Sequence, residues 1–362
     1  MDTSDSRDFT KLICCLSRKQ GKCKIVDQTT YIFEYAFENC KLLTSIEIPN
    51  SVTEIGTGAF SGCSVLTSMV IPNSVTHIGA HTFEKCSSLE YIKIPNSVVG
   101  IGAYAFADCS ALTFIEIPSE VSCICAYTFA GCSILASVDI PNSVRCILDN
   151  AFENCNTLTS IEIPHSVKEI GQYTFKGCSS LKSILLPDSI TLIADGAFSY
   201  CSSLSSIGIP KNVIELGYGA FACCSSLVNI DVSRYNETFV NVDGLLYTKF
   251  LEELICCPSG MQGECKIANQ TKRIFPGAFA GCFLLTSIEI PDSVESIGEE
   301  VFKGCTNLKE IYLRNEHPEK IYIVDNVFSN LTNCILYVPI GTGYAYRHDE
   351  RFKGFKEIKT ER

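Results

Sequence analysis

The sequence predicts one continuous solenoid, mostly β, built of short parallel strands joined by turns. Three observations carry this. Phenylalanine recurs every 23 residues at Phe37, Phe60, Phe83, Phe106, Phe129, Phe152, Phe175, Phe198 and Phe221, and the spacing resumes at Phe279 and Phe302. Three residues after each of these eleven stands a cysteine (Cys40, Cys63, Cys86, Cys109, Cys132, Cys155, Cys178, Cys201, Cys224, Cys282 and Cys305), and six residues after each stands a leucine, from Leu43 to Leu308. Each copy then runs on with one grammar: an apolar pair two apart, usually Pro, a short polar run, and an apolar pair three apart. A fixed period of this length with an L-x-x-I-x-I core marks stacked coils.

Within a coil, Ile46 and Ile48 share one face of a short strand and Glu47 takes the other. Successive coils set identical strands side by side, so they pair in parallel. Pro49 lacks an N–H and ends the ladder. Pro-Asn-Ser is turn chemistry. Val52 and Ile55 return to the interior, and the Ala-Phe that closes most coils is expected in a short helical or 3-10 turn, its ring plugging the core. One coil alone buries too little to offset its ordering entropy, so each copy serves as the other wall of its neighbour's core. Cysteine is small and often buried, and the eleven at one register read as a column of reduced packing thiols. Neighbouring rungs at ~5 Å lie within disulfide reach, but side chains in register point the same way rather than at each other.

Two departures set the expected layout. Between Ile230 and Cys265 the spacing is 35 residues, and FVNVDGLLYTKFLEELICCPSG fills it with alternating apolar residues around Asp243-Gly244, which reads as a β-hairpin. A surface insert of this kind is either a binding element or simply tolerated. LICCLSRKQGKCKIVDQTTYIFEYAF at 12–37 matches LICCPSGMQGECKIANQTKRIFPGAF at 254–279, so the start repeats the back half of that module. The expected organisation is therefore a partial hairpin and half-coil over 1–36, repeats over 37–233, a hairpin insertion over 234–264, repeats over 265–313, and an irregular last coil with a cap over 314–362.

Composition narrows function. The 362 residues carry a formal net charge of −11, the opposite of what a phosphate backbone attracts, so no nucleic-acid partner is expected. No window of ~18 apolar residues predicts a transmembrane helix, and no signal-peptide run is seen. Of the five His, His77 and His81 are four apart but in a turn, and His165, His317 and His348 are scattered; they read as surface residues. Cys123, Cys125 and Cys146 break the repeat in neighbouring coils and read as incidental thiols or, alternatively, a redox or metal cluster. Cys14-Cys15 and Cys256-Cys257 belong to the duplicated module. Asn236-Glu-Thr, Asn269-Gln-Thr and Asn330-Leu-Thr are glycosylation sequons. P-loop, dinucleotide, G-x-S-x-G and H-E-x-x-H motifs are absent. No catalytic residue, metal or cofactor is expected.

The surface that remains is the outward strip of the strands. Down the stack it runs Glu47, Val70, Lys93, Glu116, Asp139, Glu162, Leu185, Gly208, Asp231, Glu289 and Tyr312. The position two residues earlier is mostly Ser, but Tyr91, Phe114, Asn229 and Glu310 interrupt it, the first two being adjacent aromatics. Exposed aromatics ringed by polar groups are favoured anchors. Tyr91 and Phe114, with Glu47, Glu116, Asp139 and Glu162 supplying an acidic field, are therefore the candidate ligand-binding residues.

The string LTSIEIPNSVTEIGTGAFSGCSVL resembles the BspA-like, or Treponema pallidum type, class of leucine-rich repeats, and the match extends along nearly the whole chain. The resemblance implies a leucine-rich-repeat solenoid curved as a right-handed coil with its parallel sheet on the concave face. It also implies a C-terminal cap with Leu336 and Val338 on the last strand, and a cell-surface or secreted setting with adhesion to other proteins. The expected function is a non-enzymatic protein-binding module. Its expected partner is a protein with a basic patch, such as a host or extracellular-matrix protein. The alternatives are a structural or antigenic surface spacer without a dedicated ligand, and a cytosolic scaffold, to which reduced thiols would be suited.

Overall fold

In the computed structural model, residues 11–12, 21–324 and 327–361 are described; the Cys14-Cys15 pair falls outside them. The chain divides into two compact units, Met1–Ile190 and Thr191–Arg362.

In the first unit each coil contributes three layers. The front layer holds the strands whose inward Ile residues were read from the repeat. They pair in parallel two at a time: Gly21–Lys24 with Leu43–Glu47, Ser68–Val70 with Tyr91–Lys93, and Phe114–Glu116 with Ser137–Asp139. A single bridge, Glu162 to Leu185, follows. The front is thus a row of ribbons rather than one ladder. Each strand is short, and from Leu43–Glu47 onward each runs into a Pro without an N–H, which limits its pairing.

The return path, by contrast, is a strand in its own right. Lys11–Leu12, Tyr31–Ile32, Glu54–Ile55, His77–Ile78 and Gly100–Ile101 form one five-stranded parallel sheet. Cys123–Ile124, Cys146–Ile147 and Glu169–Ile170 continue the same arrangement.

The third layer replaces the short helical turn expected around Ala-Phe. Alternate N–H groups bond locally, Ala59 to the Gly56 carbonyl (3.3 Å) and Ser61 to that of Gly58 (3.0 Å). The intervening ones reach the next coil, Gly58 to Ala80 (2.8 Å), Phe60 to Thr82 (2.9 Å) and Gly62 to Glu84 (2.7 Å). The cause is a left-handed residue at two positions four apart in every coil: Gly58 and Gly62, His81 and Lys85, Tyr104 and Asp108. A left-handed residue breaks helical propagation and turns its N–H outward along the stack. Among the described residues, helix is confined to Pro318–Lys320, Gly343–His348 and Glu350–Phe352 in the second unit.

Inside, the phenylalanines stack face to face. Ring centroids from Phe37 through Phe175 are 5.1 to 5.6 Å apart with all rings buried. The eleven cysteines beside them are buried too, and their role is more specific than packing. The Cys63 thiol donates to the Phe37 carbonyl at 3.1 Å, Cys86 to Phe60 at 3.2 Å, Cys109 to Phe83 at 3.1 Å and Cys132 to Phe106 at 3.2 Å. Cys155 and Cys178 follow suit. Each of these carbonyls also accepts the N–H of its own coil's cysteine, as Phe60 does from Cys63. Both lone pairs are then used, and the thiol ties each coil to the one before. Burial pushes the Cys86 and Cys178 thiols up to about 12, which keeps them protonated donors.

The second unit repeats this logic at Cys224 and Cys305, bonded to Phe198 (3.0 Å) and Phe279 (3.2 Å). Between them the chain forms Phe239–Val242 and Leu245–Thr248, antiparallel about Asp243-Gly244. Both turn residues have positive φ, 50° and 83°, as a two-residue hairpin loop demands. Leu245–Thr248 pairs antiparallel with Glu253–Cys256, which then pairs in parallel with Arg273–Ile274 and so hands over to the return-path ladder. The front sheet here is continuous, from Gly263–Lys266 through Leu285–Ile290, Glu310–Leu313 and Ile335–Val338 to Glu357–Thr360. Phe328 and Phe352 extend the ring stack into the cap. In that last coil the pattern inverts: Leu331 stands three and Cys334 six residues after Phe328, and both are buried.

Candidate binding surface

The strand period sets the outward strip of the first unit. Tyr91, about half exposed at 51 %, lies opposite Ser68, and Phe114, at 43 %, lies opposite Ser137 on the next ribbon. Glu116 faces Asp139 across that second ribbon, so two like charges share one rung and sum their field. Glu162 is exposed one coil further on. Phe114, Ser137, Asp139, Asn142, Glu162 and Pro164 together line a shallow depression of about 360 Å³. Three of the six candidate residues therefore converge: one aromatic face beside two carboxylates. Glu47 belongs to a separate depression of about 370 Å³ with Ser45, Asn50, Val70 and Pro72, and it lies 3.4 Å from the Lys24 ammonium, which offsets its charge. Tyr91 and Glu116 line neither.

The second unit has a larger recess that spacing did not reveal. The hairpin residues Val242, Leu245 and Tyr247 stand over Met261, Lys266 and Ile267 around about 590 Å³. Tyr247 is buried, and its hydroxyl accepts the Ala268 N–H at 3.1 Å, which fixes the wall. A neighbouring hollow of about 440 Å³ shares Lys266 and adds Glu289, Glu310, Tyr312 and Arg314. Its charges are mutually paired: Lys266 to Glu289 at 3.4 Å, Arg314 to Glu289 at 3.2 Å, and the Tyr312 hydroxyl donating to Glu310 at 2.8 Å. That last bond pushes the Tyr312 phenol up to about 12. Glu289 and Tyr312 were placed on the strip by the repeat alone. The hairpin wall and the cross-coil ion pairs arise only on folding.

The remaining chemical groups are occupied structurally. His81 bonds Glu84 through Nδ1 at 2.7 Å and stacks on Tyr104, which stacks on Tyr127. Asn236 is buried: its amide donates to the Pro210 and Val213 carbonyls, and its oxygen accepts from the Thr238 and Phe239 N–H groups. Its sequon is closed to any modifying enzyme in the folded chain. No group of three His, Cys, Asp or Glu among the described residues is arranged to hold a metal ion, and no described helix is long and apolar enough to cross a membrane.

Stacked strands, a column of Phe and Cys, and coils joined by main-chain bonds define a leucine-rich-repeat solenoid. The chain belongs to the BspA-type leucine-rich repeat family, whose model matches residues 14–136, 124–242 and 262–360. Among solved structures it is similar to a leucine-rich repeat protein from Bacteroides ovatus, at 31 % identity and a TM-score of 0.66 over 95 % of this chain and 85 % of that one. It is also similar to a leucine rich cell surface protein from Faecalibacterium prausnitzii, at 27 % identity and 0.56 over 94 % and 88 %. A comparison with curated proteins returned no match.

Proposed function

We propose that this chain is a non-enzymatic binding module that captures a protein partner through a basic, Lys- or Arg-bearing segment on the outward strip of its first unit. The observation that carries the reading is the convergence of Phe114, Asp139 and Glu162 on one depression. A guanidinium or ammonium can lie on the Phe114 ring face while the carboxylates pair with it, an arrangement in which charge and cation–π attraction act together. Glu116 beside Asp139 strengthens the field, and the net charge of −11 steers cationic partners toward the surface. Tyr91 extends the strip by one coil as a flanking contact. The similarity to a bacterial cell surface protein supports an exposed setting, where a host or matrix protein would be met.

The test is binding of the whole chain to a peptide array graded in Lys and Arg content, with Phe114→Ala and Asp139→Asn/Glu162→Gln beside the wild type. Capture should rise with peptide charge, fall with salt, and drop about tenfold in each variant. Binding that ignores peptide charge, or is unmoved by the variants, refutes the site.

A further inference from the structure

The outward strip of the first unit carries a spacing as well as a charge. We propose that its occupant is an amphipathic α-helix of a partner protein, lying along the stack with a basic residue on each of three turns over Glu116, Asp139 and Glu162 and an apolar residue on the next turn over Leu185. This rests on the reading of the strip as a docking surface for a basic segment, and it names the form that segment takes.

The strip has two columns. The first runs Lys93, Glu116, Asp139, Glu162 and Leu185 from coil to coil, and all five are exposed. The second, two residues earlier on each strand, runs Tyr91, Phe114, Ser137, Ser160 and Ser183. Leu185 is bridged in parallel to Glu162 and is 81 % exposed. It contributes nothing to the core, yet it closes a run of three carboxylates. Lys93 bounds the same run at the other end, beside Tyr91. A partner that fits the column therefore carries its basic residues over three coils only, with an apolar residue past one end and an acidic one past the other.

The spacing selects a helix. Across these same coils the buried rings from Phe106 through Phe129 and Phe152 to Phe175 are 5.4 to 5.6 Å apart. An α-helix rises about 5.4 Å per turn. Where front strands are hydrogen-bonded, as Glu116 and Asp139 are paired, the step narrows to about 4.8 Å. A helix along the stack thus meets one new coil per turn and stays within about 2 Å of register over three coils, a drift that long Arg or Lys side chains absorb. An extended segment presents one face every ~6.6 Å and slips by roughly 3–5 Å over the same distance. The girth fits as well. The two columns are about 6.6 Å apart, and a helix about 10 Å across covers both. Ser137, Ser160 and Ser183 keep the second column low beneath it, and Phe114 stands at the end of that low stretch, where a guanidinium of the first basic turn can lie on its ring.

The test titrates the whole chain into labelled peptides of about 18 residues, five turns for five coils, and reads fluorescence anisotropy at one salt concentration. The lead peptide is alanine-rich, with glutamate at i−4, arginine at i, i+4 and i+7, and leucine at i+11, made with and without a hydrocarbon staple on its opposite face. Two controls have equal charge: one carries the arginines at i, i+2 and i+4, as an extended segment requires, and one has a central proline. The stapled lead should bind about tenfold tighter than either control, and stapling should raise its affinity by removing the cost of ordering. Leu185→Ala, at an exposed position and so neutral to the fold, should weaken the lead about threefold and leave unchanged a peptide whose leucine is replaced by alanine. Equal affinity of lead and controls, weaker binding on stapling, or a lead unmoved by Leu185→Ala overturns the helix; if Phe114→Ala then still weakens every peptide, the basic-segment reading stands without it. Binding by none of the peptides removes both.

Discussion

Replacing Cys109 separates a thiol that bonds from one that merely fills space. Its side chain is fully buried and its sulfur lies 3.1 Å from the Phe83 carbonyl, which also accepts the Cys86 N–H. Cys109→Ala removes one donor, worth about 0.5–1.5 kcal/mol, and a sulfur-sized volume, worth about 1 kcal/mol more. The loss should total about 2 kcal/mol, toward the lower end because the carbonyl keeps one partner. Cys109→Ser retains a donor on a shorter bond and must draw in slightly to reach hydroxyl distance. It should cost about 0.5–1 kcal/mol less than Ala. Were the thiol only filler, burying a hydroxyl without a partner would make Ser worse than Ala by about 1 kcal/mol or more. The assay is urea unfolding followed by far-UV circular dichroism under reducing conditions, the chain having no Trp. Ser falling below Ala in stability refutes the bond.

Other outcomes follow from the same contacts. The folded state raises the Cys86 and Cys178 thiols from about 9 to about 12, so their protonated form is the folded one. Stability should be level below pH 9 and fall above it, by about 1.4 kcal/mol per pH unit for each such thiol, until pH 12, as measured by urea midpoints across that range. Deleting residues 84–106 removes one full period and rejoins every column, so circular dichroism and melting should report a folded chain; deleting 84–95 breaks register and should not fold. Asn236→Ala strands the Val213 carbonyl and the Thr238 and Phe239 N–H groups at the hairpin's entry, the Pro210 carbonyl keeping the Val213 N–H, and should lower stability by about 3 kcal/mol, read from the thermal midpoint.

What could be read in advance was whatever translation by one coil dictates. Phe60 and Phe83 must occupy equivalent places if the chain repeats at all, so the columns, the inward Ile residues and the outward strip follow from spacing. Interactions that cross coils with an offset were not legible. The thiol of Cys86 meets the carbonyl of Phe60, one period plus three residues back, and nothing in the composition marks that carbonyl. The turn layer was hidden because its left-handed position is filled by chemically unlike residues, Gly58, His81, Tyr104 and Asn150, and only Gly and Asn advertise that conformation. The candidate site was half legible. Phe114, Asp139 and Glu162 are brought together, whereas Glu47 is drawn to Lys24 and the hairpin recess had no repeating counterpart to reveal it.

That adjacent coils share one interior is tested most directly by native-state amide hydrogen exchange at Phe60, Phe83 and Phe106, whose N–H groups bond to Thr82, Ala105 and Thr128 of the following coil. If each coil is the wall of the next, the three amides exchange with one common, high opening free energy. Separate opening of single coils, with these amides exchanging as fast as those of exposed turns, would contradict the account.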